Sequence, residues 1–206
     1  MTHLVIAPHA DDEALGVGGT VEKLLERGDL VHLIICGLRE SDLVDHIKLA
    51  TVKYTTSHQL PFQDESYYDS FDRILKSIES IYHNTKPDSV FIPNNSDFNR
   101  DHRCVHEICE IVCRRYQPDP PGRVMMYEIP SSTTQSFDNN FKCNYYESLC
   151  ESHIKYKIDN FLKYENEIRE YPNPRSSLGI EVYARFRGME CGSEFAEGYH
   201  IIYSKG

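Results

Sequence analysis

The residues of this chain best suited to chemistry crowd into one short stretch, Ala7-Pro8-His9-Ala10-Asp11-Asp12-Glu13. An apolar run, His3-Leu4-Val5-Ile6-Ala7, leads into it and reads as a buried strand. A core strand has no packing use for an imidazole and three carboxylates at its exit, and the exits of strands in α/β sheets are where ligands sit. His9 and Asp12 are three residues apart across a strand-to-helix junction, near enough to converge on one ion. A catalytic zinc takes three protein ligands, imidazole and carboxylate among them, and keeps one position open for water. The third ligand must come from another strand exit. Asp101-His102, which closes the polar run Asn94-Asn95-Ser96-Asp97-Phe98-Asn99-Arg100-Asp101-His102, supplies the best candidate. A His-Asp-His set suits zinc better than magnesium or calcium, which prefer shells made of oxygen alone.

With Asp12 on the ion, Asp11 is left beside it to take a proton from water, whose pKa a bound zinc lowers toward ~7. The same carboxyl could then hand its proton to a leaving amine, and that sequence of steps is amide hydrolysis. A competing reading makes Asp11, Asp12 and Glu13 ordinary acids at a helix N-terminus, favoured by its dipole at about 0.3–1 kcal/mol each. It leaves His9 and the cluster at 97–102 unexplained. His106 stands one helical turn after His102, but Arg103 occupies the place where an H-E-x-x-H zinc motif needs glutamate, so His106 reads as surface or packing. Gly16-Val17-Gly18-Gly19 invites a dinucleotide reading. The G-x-G-x-x-G pattern fails, since Val21 holds the place of its last glycine, and close packing of a helix on the sheet explains the glycines better.

Stepping outward, the elements that must position these residues alternate. A helix over 14–28, closed by Gly28, follows the first strand, and a second strand runs over 30–36. Strand, helix and strand in so little chain make a βαβ unit with parallel strands and a right-handed crossover. A loop at 37–41 carries Arg39. The spacing predicts helices over 43–58, 70–83, 147–168 and 178–186, strands over 89–93, 122–128 and 199–203, and either a strand or a turn over 60–64. A helix follows His102 with Val105, Ile108, Cys109 and Val112 inward, and the Ser/Thr/Asn-rich segment 130–140 is either a loop facing substrate or a solvated linker. The 206 residues are read as one domain, 1–206.

The formal net charge of −10 at pH 7 argues against a nucleic-acid backbone or an anionic membrane as the main partner. Seven cysteines form no C-x-x-C pair, and the i,i+4 spacing of Cys109 and Cys113 suggests apolar filler in a reduced compartment. The start has no signal-like segment, and no stretch approaches the ~18 apolar residues of a membrane span. A cytoplasmic location is expected.

Pro8-His9-Ala10-Asp11-Asp12-Glu13 resembles the H-P-D-D-E motif of the LmbE-like (PIG-L) N-acetylglucosaminyl deacetylases, the family that includes the de-N-acetylase of glycosylphosphatidylinositol synthesis. Asp101-His102 looks like the end of that family's H-x-D-H motif. Arg187-Gly188 with Phe195-Ala196-Glu197-Gly198-Tyr199 is similar to its R-G…A-E-x-F ending, so the similarity spans nearly the whole chain. The resemblance implies an α/β Rossmann-like three-layer sandwich with a mostly parallel sheet, a Zn2+ cofactor, and removal of an N-acetyl group from an amino-sugar conjugate, nucleotide-linked, lipid-linked or a glycan or antibiotic precursor. Position by position it makes His9, Asp12 and His102 the metal ligands and Asp11 the general base, with Asn99 and Asp101 in the catalytic set. Ala10 replaces the motif's proline. Asn99 replaces the first histidine of H-x-D-H; it can donate a hydrogen bond to an oxyanion but cannot transfer a proton, which leaves Asp11 to serve as base and acid. Arg187, in the matched tail, and Arg39 are candidates for binding substrate. Two further readings are a non-catalytic nucleotide-binding module built on Gly16–Gly19 and a zinc-binding relic in which Asn99 has abolished turnover.

Overall fold

The computed structural model describes residues 1–38, 54–63, 66–137 and 141–205. Strand β1 (Thr2–His9) is buried from His3 onward, because both of its faces are covered. Leu4 and Ile6 point into one core, while Val5 and Ala7 point into the other. That explains why the run reads as continuously apolar rather than alternating. Helix α1 (Asp12–Glu26) leads to β2 (Leu30–Leu38), which pairs parallel with β1. Strand β3 (Thr56–Gln63) adds to β2, also in parallel. Helix α2 (Phe71–Thr85), β4 (Ser89–Pro93), helix α3 (Arg100–Val112) and β5 (Arg123–Tyr127) follow. Strand β6 (Tyr145–Leu149), helix α4 (Glu151–Phe161), helix α5 (Ser177–Cys191) and β7 (Phe195–Ser204) complete the order.

The sheet runs β3-β2-β1-β4-β5-β7-β6, with β7 alone antiparallel to its neighbours. Five α-helices among the described residues cover its two faces, which gives the expected Rossmann-like, mostly parallel α/β architecture. Helices α1, α4 and α5 supply Leu15, Val21, Phe161 and Ile180 to one core, and α2 and α3 supply Ile74, Ile78, Val105 and Ile108 to the other. Strand order reverses direction at β1, whose neighbours are β2 on one side and β4 on the other. The carboxyl edge at such a switch point opens a crevice.

Two expectations need correction, and one open alternative resolves. Residues 56–58 belong to β3, not to a helix over 43–58; the rest of that helix, apart from 54 and 55, lies outside the described residues, as does Arg39. The segment at 60–64 is strand as far as Gln63. The helix expected over 147–168 is a strand, a helix and a 3-10 turn at Glu165–Glu167, because Tyr145–Leu149 finds an antiparallel partner in β7. A cross-strand partner leaves no mark on the local period.

Candidate metal centre and active-site cleft

Strand β1 delivers His9 to the carboxyl edge of the sheet, and the chain turns there at once. Asp11 holds φ 101, a left-handed conformation that costs a non-glycine residue of order 1–3 kcal/mol. The turn is fixed by two carboxylates of the same stretch: Asp12 Oδ2 accepts the His9 N–H at 2.9 Å and Glu13 Oε2 accepts the Asp11 N–H at 3.1 Å. Asp11 and Asp12 are both fully buried. Burial pushes the Glu13 carboxyl up to about 7, against the pull of the Tyr164 hydroxyl that donates to it.

The second half of the site arrives from β4. Asn99 caps α3 by accepting the Asp101 N–H at 2.8 Å, and Asp97 accepts the Asn99 N–H at 2.8 Å. His102 sits in the first turn of that helix, 99% buried. Its Nε2 lies 3.2 Å from His9 Nδ1 and 3.2 Å from Asp12 Oδ2, and His9 Nδ1 lies 3.4 Å from the same oxygen. Three donor atoms therefore stand at the corners of a nearly regular triangle. The edge matches the ~3.3 Å separation of neighbouring donors around a tetrahedral ion with bonds of ~2.0–2.1 Å. The second oxygen of Asp12, Oδ1, is buried without a hydrogen bond. Burial alone would lower the His102 imidazole, but the Asp12 and Asp97 carboxylates outweigh it and push it up to about 10. His9, Asp12 and His102 are a buried metal-site candidate, and their geometry and donor chemistry fit a small divalent ion.

Each ligand ring is held from behind. Asp97 Oδ1 lies 3.1 Å from His102 Nδ1 and accepts the Ser132 hydroxyl, while Asp97 Oδ2 accepts the Thr133 hydroxyl at 2.6 Å. Asp101 Oδ2 lies 3.2 Å from His9 Nε2, the ring nitrogen turned away from the triangle. Such carboxylates fix the tautomer and orientation of a metal-binding histidine. Asp101 stands in that position to His9, and Asp97, to which the sequence alone assigns no role, stands in it to His102. The only signal for Asp97 was its place in the polar cluster leaving β4.

Asp11 has a partner from far along the chain. Arg175 donates from Nη1 to Asp11 Oδ2 at 2.7 Å and to Glu167, and from Nε to Ser131 Oγ at 2.8 Å. Arg175, Glu167, Ser131, Asn99 and His102 line one open cleft of 490 Å³ above the triangle. Arg187 is placed elsewhere: its guanidinium grips Glu128 at 2.6 and 2.7 Å and reaches Glu190 at 2.6 Å, and it is not among the described residues of that cleft. The glycines after Asp12 face protein. A Cβ on Gly16 would fall 2.3 Å from the Tyr127 ring, on Gly18 3.2 Å from Lys157, and on Gly19 2.6 Å from Leu149, which fills the space a dinucleotide would need.

This candidate metal triangle at a switch point, with the arginine-bound Asp11 beside it, sits in a fold shared with solved structures. N,N'-diacetylchitobiose deacetylase from Pyrococcus horikoshii superposes with a TM-score of 0.77 over 98% of this chain and 83% of that chain, at 17% sequence identity. The chain has the LmbE-like deacetylase fold. Among curated sequences, the uncharacterised deacetylase YaiS of Escherichia coli (strain K12) is 22% identical over 176 residues, 79% of this chain and 90% of YaiS. No protein-family model matches the chain. GalB, the 4-carboxy-2-hydroxymuconate hydratase from Pseudomonas putida KT2440, shares the fold at a TM-score of 0.75 and 14% identity over 100% of this chain and 97% of that chain. One fold serves deacetylation and hydration, so the reaction must be argued from the residues.

Proposed function

We propose that the protein is a zinc-dependent deacetylase that removes an acetyl group from the nitrogen of an amino-sugar conjugate. The observation that carries the reading is the His9-Asp12-His102 triangle with edges of 3.2 to 3.4 Å and the buried Asp11 beside it. Two imidazoles and one carboxylate are the donor set of a catalytic zinc, and zinc bound there supplies Lewis acidity toward a carbonyl oxygen and toward water. Asp11 removes a proton from the attacking water as its oxygen bonds to the acetyl carbon. The Arg175 guanidinium holds the Asp11 carboxylate in place for that transfer. Asp11 then returns the proton to the sugar nitrogen as the carbon–nitrogen bond breaks, giving acetate and a free amine. Asn99 cannot share the proton work, and its oxygen is committed to the α3 cap, which leaves its amide N–H groups for the carbonyl oxygen. The YaiS and chitobiose deacetylase likenesses support the reaction class. No described helix is long and apolar enough to cross a membrane, and all seven cysteines are unpaired, in keeping with a reduced, cytoplasmic setting.

The test is acetate release from a panel of N-acetyl amino sugars, free and conjugated, by protein reconstituted with one zinc per chain. Asp11→Asn should bind zinc as the parent does and lose about 10²- to 10⁴-fold in rate, the scale of a general base. Zinc that fails to bind stoichiometrically, or acetate release indifferent to Asp11→Asn, would sink the reading. The commitment of Asn99 to a helix cap favours the relic as the second reading; tight zinc with no acetate from any member of the panel would select it.

A further inference from the structure

The mouth of the cleft reverses the charge of the molecule. The chain carries a formal net charge of −10, yet three of the residues that line the cleft are arginines, Arg100, Arg169 and Arg175, against a single carboxylate, Glu167. That carboxylate is already taken, since Arg175 Nη1 binds it and Arg169 Nη2 stands 4.0 Å away. Arg100 lies over the Tyr68 ring, 4.9 Å from its centroid, and has no carboxylate partner among the described residues. These side chains are also placed. Arg169 donates from Nη1 to the carbonyls of Asn166 and Ile168 at 2.8 Å each, and its backbone N–H is tied to the Arg175 carbonyl at 3.1 Å, so one closed loop presents both arginines to the cleft. On the opposite wall, Arg103 fixes the segment before Arg100 by donating to the carbonyls of Asp97 and Phe98.

Deeper in, the balance is different. Asp11, Asp12, Asp97 and Asp101 stand around the triangle and more than cancel the two positive charges of a divalent ion, so the floor itself does not attract an anion. The uncompensated charge stands at the rim, on Arg100 and Arg169. Guanidinium forks at a rim suit phosphate or carboxylate oxygens, and their net positive field raises the local concentration of an anionic ligand. We infer that the substrate is an anionic one: an N-acyl amino sugar that carries a phosphate or a carboxylate, which Arg100 and Arg169 bind at the rim while the amide enters toward Asp11. The inference rests on the deacetylase reading for the amide end and on the arginines for the anionic end.

The experiment compares N-acetylglucosamine with N-acetylglucosamine 6-phosphate and N-acetylmuramic acid as substrates of the zinc-loaded chain, in the parent and in the double variant Arg100→Gln/Arg169→Gln. The parent should prefer one of the anionic sugars in kcat/KM by about tenfold, the yield of two partly solvated ion pairs. The difference should lie in KM and shrink at 0.5 M salt. The double variant should lose the preference for the anionic sugar over the neutral one. Which anionic sugar is favoured distinguishes phosphate from carboxylate. An equal or better rate on the neutral sugar overturns the inference and leaves deacetylation standing. A preference that survives the double substitution also overturns it, because the anion would then be held by the metal. If no sugar releases acetate, calorimetry on the metal-free chain separates the two ideas: binding of the sugar phosphate that the double variant abolishes upholds the anion site, and no binding ends it.

Discussion

The candidate metal centre is braced by carboxylates that stand outside its triangle. Asp97 is the clearest case: it is buried, it binds the Asn99 N–H that starts α3, and it lies 3.1 Å from His102 Nδ1. Burial would raise its carboxyl, but His102 and the hydroxyls of Ser132 and Thr133 hold it lower than an ordinary aspartate. It therefore stays charged and presses His102 to offer Nε2 to the ion. Asp97→Asn keeps the shape and one acceptor oxygen but removes that charge. The variant should bind zinc about 10- to 100-fold more weakly while melting close to the parent, the usual cost of an outer-shell carboxylate. Competition with a coloured chelator measures the affinity. Unchanged affinity would show that Asp97 serves the helix cap alone.

At the scale of elements, α1 is held so close to the sheet that Gly16 and Gly19 have no room for a methyl group. Tyr127 on β5 is fully buried and anchored by its hydroxyl to the Ile6 carbonyl at 2.9 Å, so its ring cannot swing away from Gly16. Gly16→Ala gains about 1 kcal/mol of helix propensity, but the overpacking costs about 1–3 kcal/mol and moves the helix whose first turn carries Asp12. Urea unfolding should show net destabilisation, and zinc affinity should fall with it; an unchanged midpoint would mean that the helix has slack. This close approach was legible in the sequence as a run of glycines that failed the dinucleotide pattern. So were β1, the βαβ start and the His9-Asp12 pair, because buried runs and charge at a strand exit are local signals. The strand β6 was not, since Glu147 and Ser148 look helical until Glu197 and Ala196 pair with them across the sheet. Arg175 was legible only as one of several arginines that could face the site. Nothing in Pro172-Asn173-Pro174-Arg175 reports that its guanidinium lies 2.7 Å from a carboxylate 164 positions earlier.

Across the whole molecule, buried charge ties the layers together away from the cleft. Glu197 on β7 is 4% exposed and accepts the Gly19 and Thr20 N–H groups of α1 at 3.0 and 2.8 Å, the Tyr199 hydroxyl at 2.9 Å and the Lys157 ammonium of α4 at 2.5 Å. Sheet and two helices thus meet on one carboxylate. Burial works to raise its pKa, but Lys157 and the N–H donors outweigh burial, and the net shift is downward from 4.5. A group whose pKa is lower folded than unfolded adds stability in full above its unfolded value, and that stability drains away as the pH falls through the interval between the two. The parent should therefore lose stability as the pH drops below about 4.5, with the unfolded chain taking up the proton. Glu197→Gln removes that contribution and strands Lys157, at a cost of about 3–5 kcal/mol near neutrality, the penalty for breaking a buried pair. Its stability should then fall less steeply between pH 5 and 3 than that of the parent, and denaturant titrations across that range give both slopes. Parallel slopes would place the acid sensitivity in other carboxylates. Acetate release by the folded fraction at neutral pH should hold, because Glu197 supports the back of α1 and stands apart from the metal triangle at its front.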